Sequence, residues 1–261
     1  MKKSLTGKTL VAISVILAFL FSTDTLLSQE SELLKKVSEN DITSVKSLIA
    51  SGADVNYQKD DMMGSTAINL AQDTLMMKVL IDAGADINHQ NKMTGYTPLM
   101  NALNGMNKEV AGFLLREGAD VNIKTKDGTT ALILACGVSA ELSRIMIEKG
   151  ADIHAKTERG MGVFTQCTMV GISRELVPYE FAEYLLSKGA DIDEANKTDY
   201  YLGYTPLFWA VESGDEKLVK FLVDHGAKVN LTSGKGKTPL SIALEGGKNE
   251  IAEILKAAGA K

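Results

Sequence analysis

The chain has 261 residues, 45% of them hydrophobic and 23% charged, which fits a folded soluble protein and excludes a collagen-like or intrinsically disordered one. Lys and Arg number 28 against 33 Asp and Glu, a formal net charge of −5, and such a surface argues against nonspecific nucleic-acid binding, which needs cations at the phosphates. Only four prolines and 23 glycines are present and there is no low-complexity tract, which argues against long disordered linkers.

The first eight residues carry Lys2, Lys3 and Lys8 and no acid, and Leu10–Phe21 (LVAISVILAFLF) is apolar apart from Ser14. A basic start followed by a short apolar run and then Ser22, Thr23 and Asp24 is the build of a secretory signal peptide. The run is shorter than the ~20 residues that span a bilayer. Residues 1–28 are therefore predicted as a signal peptide, cut somewhere between 22 and 28. An uncleaved N-terminal anchor and a buried first helix are the other two readings. No Cys stands near the end of the run to carry a lipid anchor. Loss of the first 22 residues takes the net charge from −5 to −8. The lysine-rich start suggests bacterial export, to the periplasm or beyond it.

Residues 30–40 (ESELLKKVSEN) read as an amphipathic helix with Leu33, Leu34 and Val37 inward, and Asp41 as the cap of a second helix. From there one phrase recurs. Its clearest copy is Gly203–Asn230, GYTPLFWAVESGDEKLVKFLVDHGAKVN. Thr205 stands as a helix N-cap and Pro206 suits the first helical position, where its missing N–H costs nothing. Leu207, Phe208, Ala210 and Val211 make a short apolar face. Ser213, Gly214 and Asp215 break that helix and begin a second, with Leu218, Val219, Phe221 and Leu222 at helical spacing. Gly226 sits where a left-handed C-terminal residue is wanted.

The Gly-Ala pair of this phrase recurs with its Gly at 52, 84, 118, 150, 189, 226 and 259. Helix openings precede it as Ser65-Thr66-Ala67-Ile68, Tyr96-Thr97-Pro98-Leu99, Thr129-Thr130-Ala131-Leu132, Tyr204-Thr205-Pro206-Leu207 and Lys237-Thr238-Pro239-Leu240. Small residues recur in the first helices at Ala71, Ala102, Ala135, Ala210 and Ala243. Two short helices cannot bury their apolar faces alone, so the copies must stack.

A period near 33 residues with a Thr-Pro-Leu opening resembles the ankyrin repeat family. The resemblance implies an all-α solenoid of about seven stacked helix-turn-helix units with hairpin or loop fingers. The units run at about 30–63, 64–94, 95–127, 128–161, 162–202, 203–235 and 236–261, in a repeat domain covering 29–261. It also implies protein binding and no catalysis. The His that usually follows Thr-Pro-Leu is replaced by Asn69, Met100, Ile133, Phe208 or Ser241, so its polar network must be absent or rebuilt. The unit at 162–202 departs furthest. It has only Thr165-Gln166-Cys167-Thr168 in place of Thr-Pro-Leu, with extra residues near Arg174–Tyr179 that predict a longer inter-helix loop. The last unit ends on its own Gly-Ala, so the array is expected to be complete.

The fingers differ most between copies. Tyr57, Met62 and Met63 lie in the first, Met93 and Tyr96 in the second, and Tyr200, Tyr201 and Tyr204 in the long fifth. Exposed Tyr and Met are enriched at binding surfaces, which makes these residues candidates for a protein interface; folding back onto neighbouring fingers is the alternative. Trp209 is a candidate of the same kind, or a packing residue between inner helices.

Cys136 and Cys167 fall in first helices of adjacent copies, about one turn apart, so they either pair as a disulfide or remain two buried thiols. His89, His154 and His225 lie in different copies without metal-ligand spacing. Gly234-Lys235-Gly236-Lys237-Thr238 has a superficial phosphate-loop look but no preceding strand. No catalytic, cofactor-binding or metal residue is therefore assigned. The expected partner is a protein, with no nucleic acid, no membrane once the signal is removed, and a monomeric chain. A secreted effector and a membrane-tethered scaffold are the alternatives.

Overall fold

A computed structural model describes residues 28–59, 64–198 and 200–261. The expected signal segment lies outside the described residues, except for residue 28, as do Met62 and Met63. Among the described residues the regular structure is helical: α1 (28–38), α2 (Ile42–Ala50), α3 (Ala67–Leu70), α4 (Thr74–Asp82), α5 (Pro98–Asn104), α6 (Lys108–Arg116), α7 (Ala131–Cys136), α8 (Ala140–Glu148), α9 (Val163–Gln166), α10 (Tyr179–Ser187), α11 (Pro206–Ser213), α12 (Glu216–Asp224), α13 (Pro239–Glu245) and α14 (Asn249–Ala257). The chain divides into two compact units at Thr94–Gly95, which is also the predicted border between the second and third repeats.

In the N-terminal unit α4 packs against α2 and α3. Leu33 of α1, Val45 of α2 and Met76 and Leu80 of α4 are fully buried. α3 is a single turn, and Ala71 already has extended backbone, because this copy is short of residues between its helices. Asn69, one of the His replacements, rebuilds a local polar link. It accepts from Thr66 Oγ1 at 2.9 Å, and its Nδ2 reaches the carbonyl of His89 at 3.5 Å.

In the C-terminal unit α5–α6, α7–α8, α11–α12 and α13–α14 pair as antiparallel hairpins, while α5, α7 and α9 stack as inner helices and α6 and α8 as outer ones. The sequence sets the helix starts. Thr97, Thr130 and Thr238 accept from the N–H three residues on, and Asn107, Ser139 and Asp215 cap the second helices in the same way. Thr205 is an exception: it occupies the N-cap position, yet its hydroxyl makes no bond to the helix and is buried without a partner. Nothing in the structure explains it. Gly214 (φ 80°) and Gly226 (φ 88°) take the left-handed conformation that ends each helix of this copy.

The recurring small residues are the contacts of the inner stack. Ala135 and Ala243 are fully buried and Ala210 is 1% exposed. Ala210→Leu forces three methylene-sized groups between α11 and its neighbours and is expected to destabilise the C-terminal unit by ~1–3 kcal/mol, read as a lower urea midpoint. An unchanged midpoint would contradict the register.

The divergent fifth repeat differs from its sequence reading. Its first helix opens at Val163, with Gly162 at the N-cap position three residues ahead of Thr165. The added residues are taken up by a π-helical stretch, Cys167–Ile172, running on from α9, and by the loop to Pro178. The π-helical stretch takes over the inner position, packing on both α7 and α11. Gly162 offers no capping side chain, and Glu194, from the far end of the repeat, supplies the missing acceptor: its Oε1 takes the Thr165 N–H.

Between repeats the residue three after Ala in the Gly-Ala-Asp-x-Asn turn acts as a staple. Asn122 Nδ2 donates to the carbonyl of Gly150 at 3.1 Å and its Oδ1 accepts from the N–H of Asp152 at 3.2 Å. Asn56 and Asn230 repeat both bonds onto the next copies. Where this residue is Asp193, its partner is Lys228 instead of Asp: the Lys228 N–H donates at 2.9 Å and its Nζ lies 3.5 Å away.

Candidate protein-binding groove

The fingers of the C-terminal unit are tied to each other by single backbone bonds. Glu158 N–H donates to Asp127, Lys197 N–H to Arg159, and Gly234 N–H to Leu202, at 2.7, 2.8 and 2.6 Å. Isolated antiparallel bridges, Lys124–Thr130 and Lys156–Gly162, close two of these fingers at their base. Such close approach requires glycine: a Cβ on Gly160, which has φ +80°, would stand 2.5 Å from the carbonyl oxygen of Ala195.

Between this ladder and the inner helices lies a groove of about 540 Å³. Ile133 and Leu134 of α7 and Gln166 of α9 line it beside Met161, while Tyr96 and Tyr200, Tyr201 and Trp209 bring aromatic surface. The aromatic wall is a connected cluster. The Tyr201 ring lies 4.4 Å from Trp209 and 4.6 Å from Tyr200, and Tyr204 packs behind at 5.2 Å from Tyr201 and 5.0 Å from Phe208. Edge-on and tilted pairs of this kind stiffen the wall beyond what area burial gives. Burial, with Glu212 and the neighbouring tyrosines adding to it, raises the Tyr204 phenol above its ordinary range. Tyr200 remains 65% exposed, and Lys235 Nζ sits 3.8 Å from the centre of its ring.

On the groove's polar side Asp127 accepts from Thr125 Oγ1 and from the N–H of Thr129, and those bonds hold its carboxyl below the ordinary range, hence charged. Arg159 lines the groove, exposed and without an ion pair among the described residues.

Of the sequence candidates, Tyr96, Tyr200, Tyr201 and Trp209 thus meet at one groove and Tyr204 supports it from behind. Trp209 is half-buried, so it packs and lines the groove at once. Tyr57, half-buried, and Met93, 57% exposed, belong to the N-terminal unit. Sequence reasoning missed Arg159 and Met161. Their place in the fourth finger, beside the Gly that turns it, was the available signal.

Cys136 closes α7 and Cys167 follows directly on α9, so the two are near equivalents in register instead of a turn apart. Both are free and buried. Desolvation pushes the Cys136 thiol up to about 12, and burial, with the neighbouring Cys136, raises Cys167 well above its usual value. Neither supplies a thiolate at neutral pH. Among the described residues no cluster of His, Cys, Asp and Glu could hold a metal, and no helix is long and apolar enough to cross a membrane. His154 lies against Gly189, and His225 Nδ1 is 2.7 Å from its own helix at the Phe221 carbonyl.

Short helix pairs stacked through small inner residues, with hairpin fingers leaning over a concave groove, define a repeat scaffold of the protein-interaction class. The chain belongs to the ankyrin repeat family: the family described as ankyrin repeats (three copies) matches residues 67–157 and 172–261. It is 32% identical over 237 residues to the ankyrin repeat protein YahD of Escherichia coli K12, covering 88% of this chain and 96% of that protein. An ankyrin repeat protein of Borreliella burgdorferi is 33% identical over 65 residues, 25% of this chain and 28% of that one. Glycerophosphocholine phosphodiesterase GDE1 of Eremothecium gossypii is 39% identical over 69 residues, 26% of this chain but only 5% of the enzyme.

Proposed function

We propose that this chain is an exported, non-enzymatic scaffold that holds a partner protein in the groove between its fingers and inner helices. The observation that carries the reading is the groove itself, with Tyr96, Tyr200, Tyr201 and Trp209 converging on it. Tyr and Trp supply large contact area at low entropic cost, which is why they dominate binding hot spots. The backbone bonds between fingers fix the surface before the partner arrives, so less ordering opposes association. Export rests on the basic start and the apolar run at Leu10–Phe21, and the periplasm is the proposed destination.

The test is quantitative capture from the periplasmic fraction of the native cell, with the wild-type chain and the Tyr200→Ala/Tyr201→Ala variant compared side by side. A protein retained by the wild type and depleted about tenfold or more by the variant is the expected result. Equal recovery by both would remove the groove from the binding surface. N-terminal sequencing of the chain in that fraction tests export: the proposal expects a start between residues 23 and 29.

A further inference from the structure

The groove's chemistry narrows the kind of partner segment it fits, if the groove is indeed the binding surface. The chain is acidic overall, yet the finger tips around the groove are basic. Lys126, Arg159, Lys197 and Lys235 are exposed there, and no described carboxylate lies within ion-pair distance of any of them. The finger carboxylates are mostly engaged elsewhere. Asp127 is bonded to Thr125 and Thr129, Glu194 is buried against α9, and Asp152 and Asp191 face Lys124 and Lys156. Asp193 faces Lys228, and Glu158 and Asp199 also lie in these fingers.

We infer that the groove binds an extended, acid-rich peptide segment of a partner protein, with one aromatic or large aliphatic side chain seated beside Met161 on the wall that Tyr201 and Trp209 form, and flanking carboxylates at Arg159, Lys197 and Lys235. The size fits, since a cavity of about 540 Å³ accommodates a few residues and not a folded domain. The spacing fits as well. Successive side chains of an extended chain point to opposite sides, so apolar and acidic residues in alternation reach the floor and the finger tips in turn. The cations stand on fingers held in register by the Lys197-to-Arg159 and Gly234-to-Leu202 backbone bonds, which fixes the row they form. A guanidinium without a partner is a ready bidentate site for a carboxylate.

A single-stranded nucleic acid would also bring anions and apolar faces, but the aromatic surface suits it poorly. Base stacking needs open ring faces. Here Tyr201 is enclosed by Tyr200, Tyr204 and Trp209, and the exposed Tyr200 ring already carries Lys235.

The experiment is selection from a displayed library of random peptides, about a dozen residues long, on the full chain, followed by fluorescence anisotropy of the selected peptides. The expected winners carry Asp and Glu around a Phe, Tyr, Trp or Leu. Their affinity should fall about tenfold or more with Tyr201→Ala, and by a similar factor with Arg159→Glu/Lys197→Glu/Lys235→Glu. It should also weaken as salt rises from about 50 to about 500 mM. The three charge reversals are at exposed positions and should leave the helical circular dichroism unchanged. Winners without acids that bind the charge-reversed chain as well as the wild type would overturn the inference and leave the groove standing. Winners indifferent to Tyr201→Ala would overturn the groove reading itself. Failure to enrich any peptide, or an oligothymidylate that competes at equal affinity, would also overturn the proposal.

Discussion

Gly160→Ala should destabilise the C-terminal unit by ~2–5 kcal/mol. Two effects add. Gly160 sits at φ +80°, where an L side chain costs ~1–2 kcal/mol. Its new Cβ would also lie 2.5 Å from the backbone oxygen of Ala195 and 3.1 Å from the N of Lys197, and a backbone cannot swing aside as a long side chain can. Relief of that overlap costs a further ~1–3 kcal/mol. The movement separates the fourth and fifth fingers, which meet through the Lys197-to-Arg159 bond, so partner binding should weaken along with stability. Gly226→Ala is the control. It has φ +88° but nothing within 4 Å of its Cβ, so only the conformational cost applies. Urea denaturation of both variants separates the two terms. Equal losses would mean that the fingers give way freely and do not hold the groove in shape.

Glu194→Ala is expected to cost ~1.5–3 kcal/mol at neutral pH, because it leaves the Thr165 N–H at the start of α9 buried without an acceptor. The pH dependence of the wild type carries a second signature of the same carboxyl. Desolvation is the largest influence on it and raises its pKa. The Thr165 bonds and Lys156, 3.9 Å away, oppose that shift, and Asp191 adds to it. A carboxyl that binds its proton more tightly in the folded chain contributes stability that is fully present below its unfolded value, near 4.5. That contribution is lost as the pH rises through the raised folded value. Glu194→Gln keeps an acceptor for Thr165 without the buried charge. It should therefore match the wild type at pH 4 and fall off less between pH 5 and pH 7. Parallel pH profiles for the two chains would show that Glu194 is not desolvated as described.

These two positions also mark where the sequence stopped being informative. Period, helix pairing, the small inner residues and the left-handed turns follow from local chemistry: an alanine at a packed crossing, a threonine before a helix, a glycine after one. Such rules act within a few residues, so they survive as motifs. The capping of α9 by Glu194 does not, because the acceptor comes from the far end of the repeat and only the fold brings it to Gly162. The helix opening of this repeat is hidden in the sequence for the same reason. Gly162-Val163-Phe164 carries no Thr-Pro signature, since its cap lies elsewhere in the chain. Lys228, where most copies have Asp, becomes intelligible once Asp193 is seen where other copies have Asn. In the groove, the finger tyrosines were legible because exposed aromatic residues are unusual. Arg159 and Met161 are ordinary residues that only the position of the finger makes notable.

The most direct test of a rigid, aromatic-walled groove as the working surface is amide hydrogen exchange of the C-terminal unit, free and bound to the partner captured from the native cell. Added protection should concentrate at 127–134, 157–166 and 196–209, the segments that line the groove. Protection confined to the outer helices α6, α8 and α12, with those segments unchanged, would contradict it.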